Sequence, residues 1–357
     1  MTLNIELKFD FCQKPLTHYN YQKYYVQGFR TVDDVNLEIT PFSSGLFAKL
    51  VDCKVKGAAR AWNKFATITK NKRSVEANHV GRYIFDNGSK CVKVAIDSAD
   101  GRSIRHWEAY EWADFYFKAN KWPNMEYPAK VYPIVNGNGI LDANRIRFLR
   151  SLANEEKSVD LVFISRVWPS PSGTYFFNGI EHNIRLFESL SKLGCSKELK
   201  AVIPRECSPS IMGKYFARLD AVSVAWSYDQ IPPAELWRSL ARARIVLLRA
   251  GKHLAVPWRM LDYLCMGTCV VYDQVPYPQW PIPLRPGENY VDCDCGLGID
   301  ESLPSKEKYA QLEGVIGDLL GNYRAIEAIR ANNRNYFDKY AAPQKVAEYV
   351  IDIVSSN

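Results

Sequence analysis

Residues 241–273 read ARARIVLLRAGKHLAVPWRMLDYLCMGTCVVYD, and the order of apolar, glycine and basic positions in this stretch decides the fold. Ile245–Leu248 is an apolar run of strand length, suited to burial on both faces of a parallel sheet. A glycine loop follows, Ala250–His253, carrying Lys252 and His253. Pro257 is placed to open a helix through Met266, because its missing N–H falls among donors that a helix start leaves unpaired anyway. Arg259 and Asp262 stand three apart on that helix and so share one face. Gly267 stops the helix, and a second strand follows at Cys269–Tyr272. Strand, basic loop, helix, glycine and strand make a βαβ unit. In open α/β sheets ligands bind where such loops leave the carboxyl ends of the strands.

Upstream of this unit the same alternation recurs. Val159–Ile164 is a buried-type strand that leaves through Ser165-Arg166-Val167-Trp168. Asn178–Leu193 carries Ile184, Phe187, Leu190 and Leu193 at helical spacing. Leu199–Ile203 and Ala221–Ala225 read as strands, Pro209–Leu219 and the segment from Pro232-Pro233 to Leu240 as helices. Strands alternating with helices of this length make a parallel sheet. Downstream, VPYPQWPIPLRPGENY holds five prolines, after which Lys306–Leu320, Asn322–Tyr340 and Gln344–Ile353 read as helices. In the first half, Leu3–Phe9 and Val35–Thr40 alternate as strands, and Tyr19–Gly28 is a short helix. Asp86-Asn87-Gly88 turns the chain from Arg82–Phe85 into Cys91–Ile96. That strand runs into Asp97-Ser98-Ala99-Asp100-Gly101. Trp112–Lys118 reads as an aromatic strand, Asn136–Gly139 as a boundary loop, and Asn144–Glu156 as a linking helix.

A chain of 357 residues is long enough for two ordinary domains. Its 47% hydrophobic and 24% charged residues are those of a water-exposed globular protein. It has no run of 18 apolar residues, so no membrane-spanning helix is expected. The start, MTLNIELKFDFCQK, lacks the basic-then-apolar layout of a signal peptide. Nine cysteines at irregular spacing argue against a disulfide framework, so a cytoplasmic, reducing setting is expected. A net charge of +7 suits an anionic ligand or a peripheral contact with a phospholipid surface. The basic residues are scattered apart from Lys70–Arg73, and no nucleic-acid module accompanies them, so nucleic acid is not an expected partner.

With its elements in this order, the second half resembles the carboxyl-terminal domain of GT-B-fold glycosyltransferases, in the group that includes exostosin-like and group-1-like enzymes. Three stretches carry the resemblance: Val162–Arg166 (VFISR), Ala234–Leu248 (AELWRSLARARIVLL) and Arg259–Asp273 (RMLDYLCMGTCVVYD). In that group an acidic residue stands five positions before the glycine, where this chain has Asp262; the fuller two-glutamate pattern is absent. Val94–Asp100 and Ala113–Lys118 look like late strands of the acceptor domain. The resemblance implies an α/β fold of two Rossmann-like lobes with a cleft between them. The first, over 1–143, would bind the acceptor and the second, over 157–335, the nucleotide sugar. A helix over 336–357 would pack back toward the first.

The implied activity is transfer of a sugar from a nucleotide sugar to a hydroxyl of a glycan or lipid-linked acceptor, without metal or cofactor. Such transfer needs the leaving diphosphate stabilised. Arg, Lys, backbone N–H groups and a helix N-terminus supply that in the absence of metal, which places Arg166, Lys252, Arg259 and His253 around the donor. The bland alternative is that the arginines pair with surface carboxylates and Lys252 is solvated. The resemblance gives Asp262 the ribose hydroxyls. An inverting reaction also needs a general base. Asp97 and then Asp10 are the candidates, each following a strand, where an aspartate often only starts a turn. His79 and Glu76 are lesser ones. Cys293-Asp294-Cys295 has no second pair and Asp292-x-Asp294 lies in a late loop, so no metal site is expected. A dehydrogenase or epimerase on a Rossmann fold would need a GxGxxG loop after an early strand, and there is none. A non-catalytic nucleotide- or sugar-binding protein on the same fold remains as the rival.

Overall fold

The computed structural model describes residues 2–8, 15–40, 79–137, 139, 141–167, 176–205, 209–251, 254–273, 280–298, 300 and 302–356. The first lobe runs β1 (Leu3–Lys8), α1 (Pro15–Arg30), β2 (Val35–Thr40), β3 (Val80–Asp86), β4 (Cys91–Asp97), α2 (Trp107–Trp112), β5 (Phe115–Lys118) and β6 (Val131–Pro133). A linking helix, α3 (Ala143–Leu152), leads to the second lobe. There follow β7 (Val159–Arg166), α4 (Phe176–Ser191), β8 (Lys197–Val202), α5 (Pro209–Ala221), β9 (Ala225–Ser227), α6 (Pro233–Ala241) and β10 (Ala243–Leu248). Then come α7 (Arg259–Met266), β11 (Val270–Tyr272), β12 (Val291–Asp292), α8 (Lys306–Gly321), α9 (Tyr323–Tyr336), a π-helical turn (Phe337–Ala341) and α10 (Pro343–Ser355). Among the described residues no helix is long and apolar enough to cross a membrane.

The second sheet has the order β12-β11-β10-β7-β8-β9, and every neighbouring pair is parallel. In chain order this is the doubly wound pattern 3-2-1-4-5-6, whose order reverses between β7 and β10. The first sheet, β2-β1-β3-β4-β5-β6, is not wholly parallel. Its strand β3 runs antiparallel to both neighbours, because the Asp86–Gly88 turn folds it directly onto β4. Gly88 takes φ +84° in that turn and its N–H bonds the Asp86 carboxylate at 2.8 Å. The other five strands share one direction, and their order reverses between β1 and β4, on either side of β3.

Three elements differ from the sequence reading. Trp107–Trp112 is a helix: the His106 ring accepts the Ala109 N–H at 3.1 Å, an uncommon cap, and the aromatic strand starts only at Phe115. The helix α7 begins at Arg259, with Trp258 as its cap residue, so Pro257 lies ahead of the first turn. Of the strand expected at Ala221–Ala225, Ala221 ends α5, a turn follows, and β9 starts only at Ala225. Gly267 closes α7 in the left-handed region at φ +68°, where a side chain would collide with Arg334 and the Arg330 carbonyl.

One apolar cluster joins the lobes. It contains Tyr24, Tyr25 and Phe29 of α1, Met260 and Leu264 of α7, and Val346, Ala347 and Val350 of α10, all essentially buried. The helix α10 lies along α1 of the first lobe. Pro343 forces the preceding Ala342 into extended backbone at ψ 145°, which ends the π turn and starts this return. Tyr24 donates its hydroxyl to the Ala341 carbonyl across that junction.

Candidate active site

The carboxyl ends of β7 and β10 meet at the point where the order of the second sheet reverses, and arginines gather there. Arg166 is the last residue of β7 and Arg249 follows β10 directly. Arg259, in the first turn of α7, reaches across to donate to the Ile164 carbonyl of β7 at 3.3 Å. A cavity of about 200 Å³ opens beside Arg166, lined by Val202, Pro204, Arg205, Tyr228 and Gln230. It thus lies over the ends of β7, β8 and β9. Arg205 and Asp229 pair at 2.7 Å at its exposed rim. The loop after β10 is drawn tight: the Gly251 N–H bonds the Ala255 carbonyl at 2.7 Å, and Leu254 sits at φ +56°. That left-handed backbone costs a β-carbon-bearing residue about 1–2 kcal/mol. Lys252 and His253 belong to this loop in sequence but lie outside the described residues, as does Asp10.

Asp262 is buried and accepts the Trp237 indole N–H of α6 at 3.0 Å. Arg259 and Asp262 were expected on one face, yet their side chains part. The long guanidinium reaches over the strand ends, while the short carboxylate stays at the junction of α6 and α7.

A second buried carboxylate holds this end of the sheet together. Asp273, just past β11, accepts the Ala250 N–H at 2.8 Å. Its other oxygen meets His182 Nε2 at 3.1 Å and Arg249 Nε at 3.4 Å. His182 Nδ1 lies 2.8 Å from the Tyr309 hydroxyl of α8. The ionised carboxylate can only accept, so His182 donates from Nε2 and accepts the Tyr309 O–H at Nδ1. Burial, reinforced by the Arg249 charge, pushes the His182 imidazole down to about 4. Burial alone would raise the Asp273 carboxyl, but the His182 hydrogen bond and the Arg249 charge hold it below its ordinary value. Neither Arg249 nor Asp273 was singled out by the sequence reading. The available signal was position: each directly follows a parallel strand beside the reversal point.

In the first lobe Asp97 ends β4, as expected, but its carboxylate is enclosed. One oxygen accepts the Tyr116 hydroxyl at 2.8 Å and Lys118 Nζ at 3.1 Å, and the other accepts the Ala99 N–H at 2.9 Å. Both Asp97 and Lys118 are fully buried, at 2% and 0% exposure. Burial, with the Asp97 charge behind it, drives the Tyr116 hydroxyl far above its ordinary value, so it stays protonated and donates. The site carboxylate is therefore a fixed part of the lobe's floor. Opposite, Asn136 donates to the Val256 carbonyl at 3.0 Å, and Tyr21 of α1 meets Trp258 edge-on at 5.3 Å. Both contacts cross between the lobes. Among the described residues there is no cluster of three or more His, Cys, Asp or Glu able to hold a metal.

No protein-family model and no curated protein matches the sequence. Among solved structures, the chain aligns with HepE of Anabaena in complex with UDP and glucose at 12% identity, over 99% of each chain, with a TM-score of 0.48. It aligns with the lipopolysaccharide outer core galactosyltransferase WaaB at 11% identity, over 96% of each chain, with a TM-score of 0.48. A putative UDP-N-acetylglucosamine 2-epimerase from Listeria monocytogenes gives 13% identity, over 100% of this chain and 96% of that one, with a TM-score of 0.46. These proteins differ in their chemistry.

Proposed function

We propose that the chain is a glycosyltransferase that holds a nucleotide sugar at the reversal point of the second lobe. It moves the sugar to an acceptor hydroxyl presented by the first lobe. The observation that carries this reading is the meeting of Arg166 and Arg259 at the end of β7, beside Arg249, whose own charge is met by Asp273. Departure of a nucleoside diphosphate builds negative charge on its oxygens, and fixed cations aimed there stabilise the transition state more than the ground state. Lys252 and His253, the basic residues that follow Gly251 in sequence, add donors to the same charge. The cavity beside Arg166 takes the nucleoside, with Tyr228 as a planar face and Gln230 and the backbone of residues 202–204 as hydrogen-bonding groups. Asp262 serves by fixing α7, and with it Arg259, through Trp237. The arginines supply the charge that a metal would otherwise supply, so no metal is required.

Titration calorimetry with a panel of nucleotide sugars, UDP-glucose among them, tests this. At least one should bind, and Arg166→Ala and Arg259→Ala should each weaken it about 10- to 100-fold, as loss of one charged hydrogen bond predicts. No binding across the panel overturns the reading. The enclosure of Asp97 favours one rival, a protein that binds nucleotide sugars without turning them over. Binding without transfer to any acceptor would be its signature.

A further inference from the structure

The cavity beside Arg166 ends in an ion pair that a diphosphate does not call for. In the sheet, β9 stands two strand spacings from β7, roughly 10 Å. The cavity therefore runs from Arg166, placed at the diphosphate, to a far end formed by Tyr228 and Asp229, where the base of a bound nucleotide lies. That far end is braced. The Ile203 N–H bonds the Ser227 carbonyl at 2.8 Å, which ties the end of β8 to β9. The Ser227 hydroxyl donates to the Asp229 carbonyl at 3.2 Å. The half-exposed Tyr228 ring meets Phe216 at 82° and Trp226 at 86°, so it is held as a wall. At the rim Arg205 Nη2 donates to Asp229 Oδ1 at 2.7 Å. These two side chains are 76% and 81% exposed. An ion pair so exposed adds little to stability, so folding does not account for its place. The contact engages one nitrogen and one oxygen, and within the pair Nη1 can still donate and Oδ2 still accept. The pair has no net charge. A phosphate drawn by Arg205 is repelled by Asp229, so this edge suits a neutral ligand.

We infer that the Arg205–Asp229 pair selects the base of the donor nucleotide, and that this base is guanine. This rests on the reading of the second lobe as the nucleotide-sugar site. Along its pairing edge guanine presents an acceptor, O6, and then two donors, N1–H and the 2-amino group. Arg205 donates to O6, and the Asp229 carboxylate, which can only accept, takes both donors. Uracil presents acceptor, donor, acceptor, which sets its O2 against the second carboxylate oxygen. Adenine has only one donor and one acceptor on that edge, so it leaves one carboxylate oxygen unmatched. Cytosine matches the pair in reverse, with most of its bonds to the long Arg205 side chain. Guanine instead rests mainly on Asp229, whose backbone the Ser227 hydroxyl holds. The ring that stacks and the carboxylate that selects then come from consecutive residues, Tyr228 and Asp229. The two-ring purine also covers more of the Tyr228 face than a pyrimidine does.

Titration calorimetry on the full chain with the 5′-diphosphates of guanosine, inosine, adenosine, cytidine and uridine tests this. All of them share the ribose and the diphosphate, so differences in affinity report the base. Guanosine diphosphate should bind about tenfold or more tightly than each of the others, as one hydrogen bond to a charged group predicts. Inosine differs from guanosine only in lacking the 2-amino group, so its deficit measures the bond from that group to Asp229 without any variant. Asp229→Asn should weaken guanosine diphosphate about tenfold or more and bring it within about twofold of inosine diphosphate, a convergence that loss of fold would not produce. Selection of guanine is overturned if any other diphosphate binds as tightly as guanosine diphosphate. The role of Asp229 is overturned if the gap between guanosine and inosine survives Asp229→Asn. Either result, obtained with diphosphates still bound, leaves the donor site standing. Binding of none of them overturns the donor site and the choice of base with it.

Discussion

Asp97 and Asp273 are both buried carboxylates at the ends of parallel strands, and they differ in what compensates them. Asp97 has a buried ammonium, Lys118, at 3.1 Å. Removing one member of such a pair strands the other charge, so Lys118→Met should lower stability by roughly 3–5 kcal/mol. Adding Asp97→Asn to that variant should recover a large part of the loss, and urea unfolding of the two measures it. Asp273 has instead a neutral histidine and a largely buried arginine. The His182 imidazole is at about 4 in the folded protein and near 6.5 in the unfolded chain. Between those values the unfolded chain binds a proton that the native state does not. The stability due to this site is therefore complete above pH 6.5 and falls as the pH drops toward 4, by roughly 3 kcal/mol in all. The depressed Asp273 carboxyl adds a further loss below its ordinary value. Unfolding free energies at pH 7, 5.5 and 4.5 should show this slope, and His182→Gln should flatten it. A slope unchanged in that variant would place the titration elsewhere.

The return of α10 along α1 depends on one close approach. A Cβ on Gly28 would strike the Pro343 carbonyl, which is backbone and cannot turn aside. Gly28→Ala should therefore cost roughly 1–3 kcal/mol, the usual penalty for overpacking. On the exposed face of α8, Gly317 meets nothing within 4 Å, and Gly317→Ala should stabilise by roughly 0.5–1 kcal/mol through helix propensity. Thermal unfolding of the pair checks opposite signs for one chemical change. This contrast also separates what the sequence could tell from what it could not. Local rules found the βαβ unit, the Gly267 stop and the hairpin at Asp86–Gly88, since each is written in neighbouring residues. They put Arg166 at the carboxyl end of its strand, where it lies. They missed Trp107–Trp112 because its cap is a histidine ring rather than a common capping side chain. Lys118, which encloses Asp97, ends the adjacent strand 21 residues on, and the His182–Asp273 contact joins residues 91 apart. Only the sheet order brings such partners together. His79, a lesser candidate by sequence, shows the same dependence: only the antiparallel course of β3 sets it beside the end of β4.

Each lobe has an apolar cluster of its own, and a third is shared between them. The cluster that holds Tyr24, Phe29 and Tyr83 of the first lobe also holds Trp237, Met260 and Leu264 of the second, with Val346 and Val350 of α10 between them. Arg330 of α9 adds a polar tie, donating to the Gly267 carbonyl at 3.2 Å and to the Ala153 carbonyl, at the end of α3, at 3.1 Å. Melting one lobe would expose apolar surface on the other, which at about 25 cal/mol per Å² makes partial unfolding unfavourable. A single calorimetric transition is therefore expected, with calorimetric and van't Hoff enthalpies equal. A bound nucleotide sugar should raise its midpoint as one unit, because ligand held at the second lobe stabilises everything that melts with it. Two resolved transitions, with only one moved by ligand, would mean that the lobes fold apart despite the shared cluster. Adding a metal chelator should leave the midpoint, and the ligand's effect on it, unchanged, as the proposed role of Arg166 and Arg259 at the diphosphate requires. A chelator that abolished the ligand-induced rise would transfer that work to a metal and leave the arginines a supporting part.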